Sequence, residues 1–437
     1  MRRSIAGLVL IVGLCGCVGH ASVSQEATVG SDPKLPPPQK SLIPTVNVAE
    51  ATGWPAGPKP VAAAGMTVAA FATGLDHPRW IYVLPNGDVL VAETAAPPKP
   101  QEEPGNNGVK AWFMKKSMKK AGSAVQSANR ITLLRDADGD GVPETRSVFL
   151  DGLHSPFGMA LIGENFYVAN ADAVVRYPYK AGETRITAAG QKVTDLPGGI
   201  NHHWTKNLIP SRDGAKLYVT VGSNSNIAEN GMELEEGRAA IWEVDLQKGA
   251  KRLYASGMRN PNGLVWEPES GALWTVVNER DELGNDLVPD YLTSVQDGAF
   301  YGWPYSYFGP NVDKRVEPQR PDLVHKAIKP DYALGSHVAP LGLTTSEGSA
   351  LPAPFSKGMF IGQHGSWNRK PRSGYNVVFV PFSGGKPSGK PVEVLNGFVS
   401  ADGKAYGRPV GVAIDKRGAL LVADDVGNVV WRVTAAR

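Results

Sequence analysis

Leu75-Asp-His-Pro-Arg-Trp-Ile-Tyr-Val83 sets a polar residue beside a proline and leads into a short apolar run, and the chain returns to this phrase along its length. The other versions are Leu153-His-Ser-Pro-Phe-Gly-Met-Ala-Leu161, Ile200-Asn-His-His-Trp-Thr-Lys-Asn-Leu-Ile209, Met258-Arg-Asn-Pro-Asn-Gly-Leu-Val-Trp266, Ser336-His-Val-Ala-Pro-Leu-Gly-Leu343 and Tyr406-Gly-Arg-Pro-Val-Gly-Val-Ala-Ile414. Five of the eight histidines (His77, His154, His202, His203 and His337) lie inside these phrases, and two versions carry Arg259 or Arg408 instead. A unit recurring every 50 to 80 residues or so points to a repeat architecture with one chemically loaded face.

A second apolar strand follows each phrase: Asp88-Val-Leu-Val-Ala, Asn165-Phe-Tyr-Val-Ala, Lys216-Leu-Tyr-Val-Thr, Ala272-Leu-Trp-Thr-Val, Gly358-Met-Phe-Ile-Gly and Ala419-Leu-Leu-Val-Ala. Turns such as Pro85-Asn-Gly-Asp88 join several of the pairs, as a hairpin requires. A third strand follows in most units, for example Ala240-Ile-Trp-Glu-Val and Val429-Val-Trp-Arg-Val. The expected fold is all-β: a six-bladed β-propeller of four-stranded antiparallel sheets, with an irregular sandwich as the alternative. In an antiparallel hairpin the start of one strand and the end of the next share an edge. The phrases should therefore share a rim with Glu93, Asn170, Ser223 to Asn226, Asn278 to Asp281, Gln363-His364 and Asp424-Asp425. Such a mouth suits a polar small molecule.

The 437 residues suffice for a large core, and 85 of them are Gly or Pro, which favours turns and short strands. With 45 basic and 42 acidic residues there is no global field to attract nucleic acid. Residues 1–17 read as a lipoprotein signal peptide: Arg2-Arg3, an apolar run from Ile5 to Leu14, then Leu14-Cys-Gly-Cys17 with Cys17 as the lipidated residue. Cleavage near Gly19-His-Ala21 is the alternative. The expected location is the periplasmic side of a bacterial envelope, with membrane contact only through the anchor. Cys15 and Cys17 are the only cysteines, so an exported mature chain has no intrachain disulfide. Residues 18–65 are rich in Pro and Ala and read as a tether, and 66–437 as the propeller, with an insertion at 96–128.

Six motifs, in order and each at a blade junction, carry a resemblance over residue 67 to the C-terminus. They are Gly198-Gly-Ile-Asn-His-His-Trp, Gly257-Met-Arg-Asn-Pro-Asn-Gly-Leu, Asn278-Glu-Arg-Asp-Glu-Leu-Gly-Asn-Asp, Tyr301-Gly-Trp-Pro, His337-Val-Ala-Pro and Gly407-Arg-Pro-Val-Gly-Val. In these the chain resembles the sugar dehydrogenases that depend on pyrroloquinoline quinone (PQQ), in the branch of sorbosone and soluble aldose sugar dehydrogenases. The resemblance implies PQQ and calcium at the channel mouth, and oxidation of an aldose or sugar aldehyde to the lactone or acid. It implies His203 as the base that takes the hydroxyl proton while hydride passes to the quinone, a task suited to a neutral imidazole. Arg259 and Asn260 match the residues at the quinone oxygens, Arg259 also stabilising negative charge on reduction. Arg408 matches a cation on the cofactor carboxylates, while His202 and His364 are cofactor neighbours. Arg280, Asp281 and Asp286 lie in the segment Asn278 to Asp286, the loop that offers backbone carbonyls to calcium, with direct binding by its acidic side chains as the alternative. His154 and His337 are expected at the substrate. Ser223 stands where a carboxylate is expected behind the histidine, and Tyr406 where an arginine is. The partners implied are a small sugar or aldehyde and an electron acceptor that the sequence does not identify.

Asp136, Asp138 and Asp140 space three carboxylates as in the first half of a calcium loop, but between strand-like flanks. They read as a structural calcium hairpin or as a solvated acidic turn. Lys110-Ala-Trp-Phe-Met-Lys-Lys-Ser-Met-Lys-Lys within the insertion reads as a basic surface helix, with a cover over the mouth or a lipid contact as alternatives. Two rival functions remain. A calcium-dependent lactonase would use Glu93, Asn170 and Asp424, and a non-catalytic propeller would bind a sugar or protein.

Overall fold

A computed structural model describes residues 19–39, 45–98 and 116–436. The signal sequence, Cys15, Cys17 and most of the insertion lie outside the described residues. Six antiparallel sheets form the blades of a propeller. Their innermost strands are Pro78–Val83, Met159–Ile162, Leu208–Pro210, Asn260–Trp266, Pro340–Thr345 and Pro409–Ile414. Each touches the next, and the last touches the first, so they ring a central channel. The sixth blade is closed by the N-terminal strand Met66–Ala72, which pairs with Val429–Ala435 and ties the two ends of the domain together.

Apolar strands in this fold are buried on both faces, because each blade is packed between two others. The second strands show it: Val89–Glu93 and Leu420–Asp424 are buried at every position. Between blades five and six, Phe360, Phe379, Leu420, Val422 and Trp431 belong to one continuous core. The phrases contain a further regularity, Pro-x-Gly, at Gly158, Gly263, Gly342 and Gly411. A Cβ on Gly342 would lie 2.1 Å from the Val410 carbonyl oxygen, and one on Gly158 would lie 2.5 Å from the Leu208 amide nitrogen. Glycine is required there because neighbouring inner strands approach backbone to backbone.

The register brings the predicted rim together: Pro78 is opposite Glu93, Asn260 opposite Asn278, Pro340 opposite Gln363 and Pro409 opposite Asp424. The segment read as a tether differs from that expectation. Val29–Gly30 adds a strand to blade four and Val61–Ala62 adds one to blade five. Trp54 packs its ring against Phe398, Tyr406 and Trp431 and donates Nε1–H to Asp424 at 2.7 Å. Its proline content suits an extended strap as well as a free linker, and only the interspersed apolar residues distinguish the two. Among the described residues no helix is long and apolar enough to cross a membrane.

Candidate functional site

The loops that leave the inner rim enclose a cavity of about 310 Å³. It is lined by His202, His203, Arg259, Asn260, Asp281, His337, His364 and Arg408, eight of the candidate site residues named from the sequence. A wider groove of about 590 Å³ runs past Lys370, Arg372 and Glu393 outside the channel. Larger though it is, it is lined by none of the candidate site residues named from the sequence, and the central cavity is the better candidate.

His203 sits in the loop before the inner strand of blade three. Its Nδ1 lies 2.8 Å from the Ser223 carbonyl oxygen and 3.1 Å from Ser223 Oγ. A carbonyl only accepts, so Nδ1 carries the hydrogen and Nε2 is left with its lone pair. The orienting partner expected to be a carboxylate is thus a serine, acting through its backbone. Burial, then the Arg259 charge, then His202 hold the imidazole well below its ordinary pKa, and it stays neutral. His202, more exposed, sets its ring perpendicular to that of His203 with centroids 4.7 Å apart. Gly222 makes room for this arrangement, since a Cβ there would lie 2.5 Å from His203 Cβ and 2.4 Å from Asn260 Oδ1.

Arg259 is buried and donates Nη1 to the Glu279 carbonyl at 2.8 Å and Nη2 to Asp281 at 3.2 Å. Asp281 also accepts from Asn368 at 2.7 Å and lies 3.6 Å from His337 Nδ1. Burial disfavours the charge on both Asp281 and His337. Their mutual attraction outweighs it, so the carboxyl is held low and the imidazole raised. Arg408 lies over the Tyr375 ring, 4.9 Å from its centroid, and donates to Tyr375 Oη at 3.2 Å.

His364 gives Nε2 to Asp425 at 2.9 Å, and the same carboxylate takes Arg79 at 2.6 Å. Burial pushes His364 down to about 4, and the three neighbours His364, His77 and Arg79 keep Asp425 ionised against its own burial. His364 is therefore a neutral residue of the cavity wall. His77 belongs to this hub, with Nδ1 3.0 Å from the Asp425 carbonyl oxygen.

Several expected site residues lie elsewhere. The Arg280 side chain is fully buried away from the cavity, bound to Glu279, Asp313 and the carbonyls of Pro304 and Ser306. Asp286 accepts from Ser22 and Val23 of the strap and from Arg369. Both side chains are engaged within the fold, and of the three residues only Asp281 lines the cavity. His154 pairs with Asp172 at 3.0 Å on the exposed rim and does not line the cavity either. Asp136, Asp138 and Asp140, joined by Glu144, can bring one oxygen each within 4.8 Å of one another. They lie between the outer strands Arg130–Arg135 and Thr145–Leu150 of blade one, apart from the cavity.

None of the lactonase set, Glu93, Asn170 and Asp424, lines the cavity. Glu93 is saturated by Arg130, Thr132 and the Asp76 amide, and Asp424 by Trp54, Trp431 and the amides of Arg408 and Gly427. Asn368 and Asp290, which the sequence reading missed, belong to the lining. So do Ser117 and Met118 from the described end of the insertion, which places that end at the mouth. Lys120 gives its carbonyl to the Ala51 amide of the strap at 2.8 Å.

The description TrAA12-like matches residues 124–297 and 321–436. The chain belongs to the TrAA12-like family. The Carbohydrate-Active Enzymes Family AA12 protein of Trichoderma reesei superposes with a TM-score of 0.68 at 19% identity, over 91% of this chain and 100% of that one. The PQQ domain of Coprinopsis cinerea pyranose dehydrogenase superposes with a TM-score of 0.66 at 21% identity, over 89% and 100%. In sequence, an uncharacterized protein of Borreliella burgdorferi is 30% identical over 220 residues, 50% of this chain and 57% of that protein. The PQQ-dependent pyranose dehydrogenase of Coprinopsis cinerea is 24% identical over 265 residues, 50% of this chain and 35% of its own length. The TrAA12-like match covers five of the six motifs quoted above, all but Tyr301-Gly-Trp-Pro.

Proposed function

We propose that this TrAA12-like protein is a PQQ-dependent sugar dehydrogenase, an oxidoreductase that oxidises an aldose or sugar aldehyde to the lactone or acid. One observation carries the reading: a histidine with a free Nε2 and two buried arginines line one cavity whose polar atoms are not all satisfied by protein. Arg408 Nε, Asn260 Oδ1 and Asn368 Oδ1 are buried there without a hydrogen-bond partner. Unpaired buried groups are expensive. A planar, polar tricarboxylate such as PQQ, which presents both acceptors and a ring N–H, is a fitting partner for this set. Asp281, with neighbouring backbone carbonyls, would hold the calcium ion, which takes oxygen ligands.

PQQ supplies the hydride acceptor. His203 takes the substrate hydroxyl proton on Nε2, and the Ser223 carbonyl steadies the Nδ1–H as the ring becomes charged. Arg259, braced by Glu279 and Asp281, presents its guanidinium where negative charge develops. Arg408 pairs with a carboxylate. The depressed basicity of His203 is offset when an anionic ligand enters beside it, because a nearby negative charge favours imidazolium. His337, on the Asp281 side, is proposed to contact the substrate.

Placement at the periplasmic side of the envelope through Cys17 is part of the same proposal and rests on residues 1–17. Incorporation of radiolabelled palmitate, abolished by Cys17→Ser, tests it. The main reading is tested by adding PQQ with calcium to the purified protein. A bound-quinone absorption band that an aldose bleaches is expected. Absence of the band at micromolar PQQ would overturn the reading, and a band that no sugar or aldehyde bleaches would leave a binding protein in place of an enzyme.

A further inference from the structure

Lys206 is completely buried, three residues after His203. Its Nζ donates to Asn201 Oδ1 at 3.1 Å, to the His203 carbonyl at 3.2 Å and to the Trp204 carbonyl at 3.2 Å. All three acceptors belong to the loop that presents the histidines. Arg238 reinforces the same loop from below, reaching Asn201 Oδ1 at 3.0 Å and the carbonyls of Gly198 and Ile200 at 2.7 and 3.0 Å. Among the described residues Lys206 forms no ion pair. A buried ammonium without a carboxylate is costly and is kept only where other groups satisfy it.

We propose that Lys206 is a positioning residue of the site, an ammonium that clamps the backbone beneath His203 and supplies fixed positive charge behind the base. This rests on His203 being the base in the reading above. Three oxygen acceptors around one nitrogen require three hydrogens, and a neutral amine has only two. Burial and the Arg238 charge pull Lys206 well below its ordinary pKa, with Asp172 opposing them. The hydrogen-bond geometry decides for the charged form. The charged or titratable groups around His203 are then Arg259, His202 and Lys206, and each opposes its protonation. Lys206 alone of the three stays behind the loop, so its charge acts in every step without touching the reactants.

The test uses the protein without quinone, labelled at histidine and lysine for NMR, with His203 assigned from His203→Ala. In the unsubstituted protein the Lys206 Nζ resonance should have the ammonium shift at pH 7; a neutral-amine shift would overturn the proposal without any Lys206 variant. In Lys206→Met the His203 titration should move upward. Amides 201–204 should exchange on the order of tenfold faster, as loss of about one hydrogen bond implies. Lys206→Arg should keep the titration near its original position, because it keeps the charge. A folded Lys206→Met with the His203 titration and loop exchange both unchanged would refute the clamp. None of these readouts needs turnover, so failure of the dehydrogenase reading is seen separately, in the quinone assay.

Discussion

His203 Nδ1 and the Ser223 carbonyl oxygen are 2.8 Å apart, and this contact fixes which nitrogen of the histidine meets a ligand. A backbone carbonyl cannot be protonated at working pH and cannot rotate away, so the tautomer is set by the fold of blade three. His203→Gln keeps the approximate size and removes the base. We expect turnover to fall by about 10² to 10⁴, with quinone affinity changed little. Equal loss of quinone binding and turnover would show that His203 holds the cofactor instead.

The low basicity of His203 has a consequence for pH. Its folded pKa is depressed, so the neutral, reactive form persists on acidification past the ordinary histidine value. In the protein without quinone the His203 titration, followed by NMR, should lie below about 6.5, the unperturbed histidine pKa. With the anionic quinone bound, the acid limb of kcat/KM, measured at sugar well below KM, should lie above that titration. A quinone-free titration above about 6.5 would show that burial and Arg259 do not set the basicity of His203. Substituting Ser223→Ala should leave the limb in place, because the backbone oxygen remains.

Arg408 contributes charge without chemistry. Its contacts, the Tyr375 ring and hydroxyl, are neutral, and its Nε is buried without a partner. Arg408→Met should weaken PQQ binding by about 10- to 100-fold, the worth of one charged hydrogen bond of roughly 1.5–3 kcal/mol. Titration of quinone absorption gives the number directly. Unchanged affinity would remove Arg408 from the site.

Gly222 offers a steric test. A Cβ there would meet His203 Cβ at 2.5 Å and Asn260 Oδ1 at 2.4 Å, both anchored on rigid strands or loops. Gly222→Ala should leave the propeller folded, by circular dichroism, while displacing the histidine and lowering kcat at least about tenfold, since small misplacements carry large rate effects. Wild-type kinetics in this variant would mean that the loop yields easily.

The ring of blades was legible because a doubly buried strand must be apolar throughout and its turns must carry Gly, Asn, Asp or Pro. The pairing of phrase with strand end was legible from antiparallel geometry alone, and Pro409 opposite Asp424 is an instance. Direction of side chains was not. Arg280 and Asp281 are adjacent, yet one points into the blade and the other into the cavity, and no spacing rule separates two neighbours on an irregular loop. His154 and His203 sit in equivalent phrases, but only the second has a cavity before it. The strap was misread because strand pairs of two residues, such as Val29–Gly30 with Ala333 and Leu334, are too short to leave a periodic signal.

Two buried carboxyls set the expected stability profile. Burial raises Asp290 to about 7 and Asp424 to about 6, each opposed by the hydrogen bonds it accepts. The unfolded chain ionises both near pH 3.9. Between that value and neutrality the folded state binds more protons, so these groups stabilise the fold fully below about 3.9 and lose that contribution as pH rises through 6 to 7. Asp425 acts in the opposite sense. Its folded pKa is depressed by His364, His77 and Arg79, so its stabilisation is present above about 3.9 and is lost on acidification below that. Stability should therefore peak on the acid side of neutrality, between about pH 4 and 6, and the midpoint of thermal unfolding should fall from pH 5 to pH 8. Asp290→Asn removes the ionisable group but turns an amide N–H₂ toward either the Glu279 or the Ala339 amide, both of which now donate to the carboxyl. The variant should be less stable than the original at pH 5, and the gap should shrink by pH 8. Asp425→Ala strands a buried arginine and should cost about 3–5 kcal/mol at pH 7, the gap closing as pH falls below 4. Thermal unfolding of the three proteins across pH 3 to 8 measures all of this, and a pH-independent gap for Asp290→Asn would show that the carboxyl is already ionised in the fold.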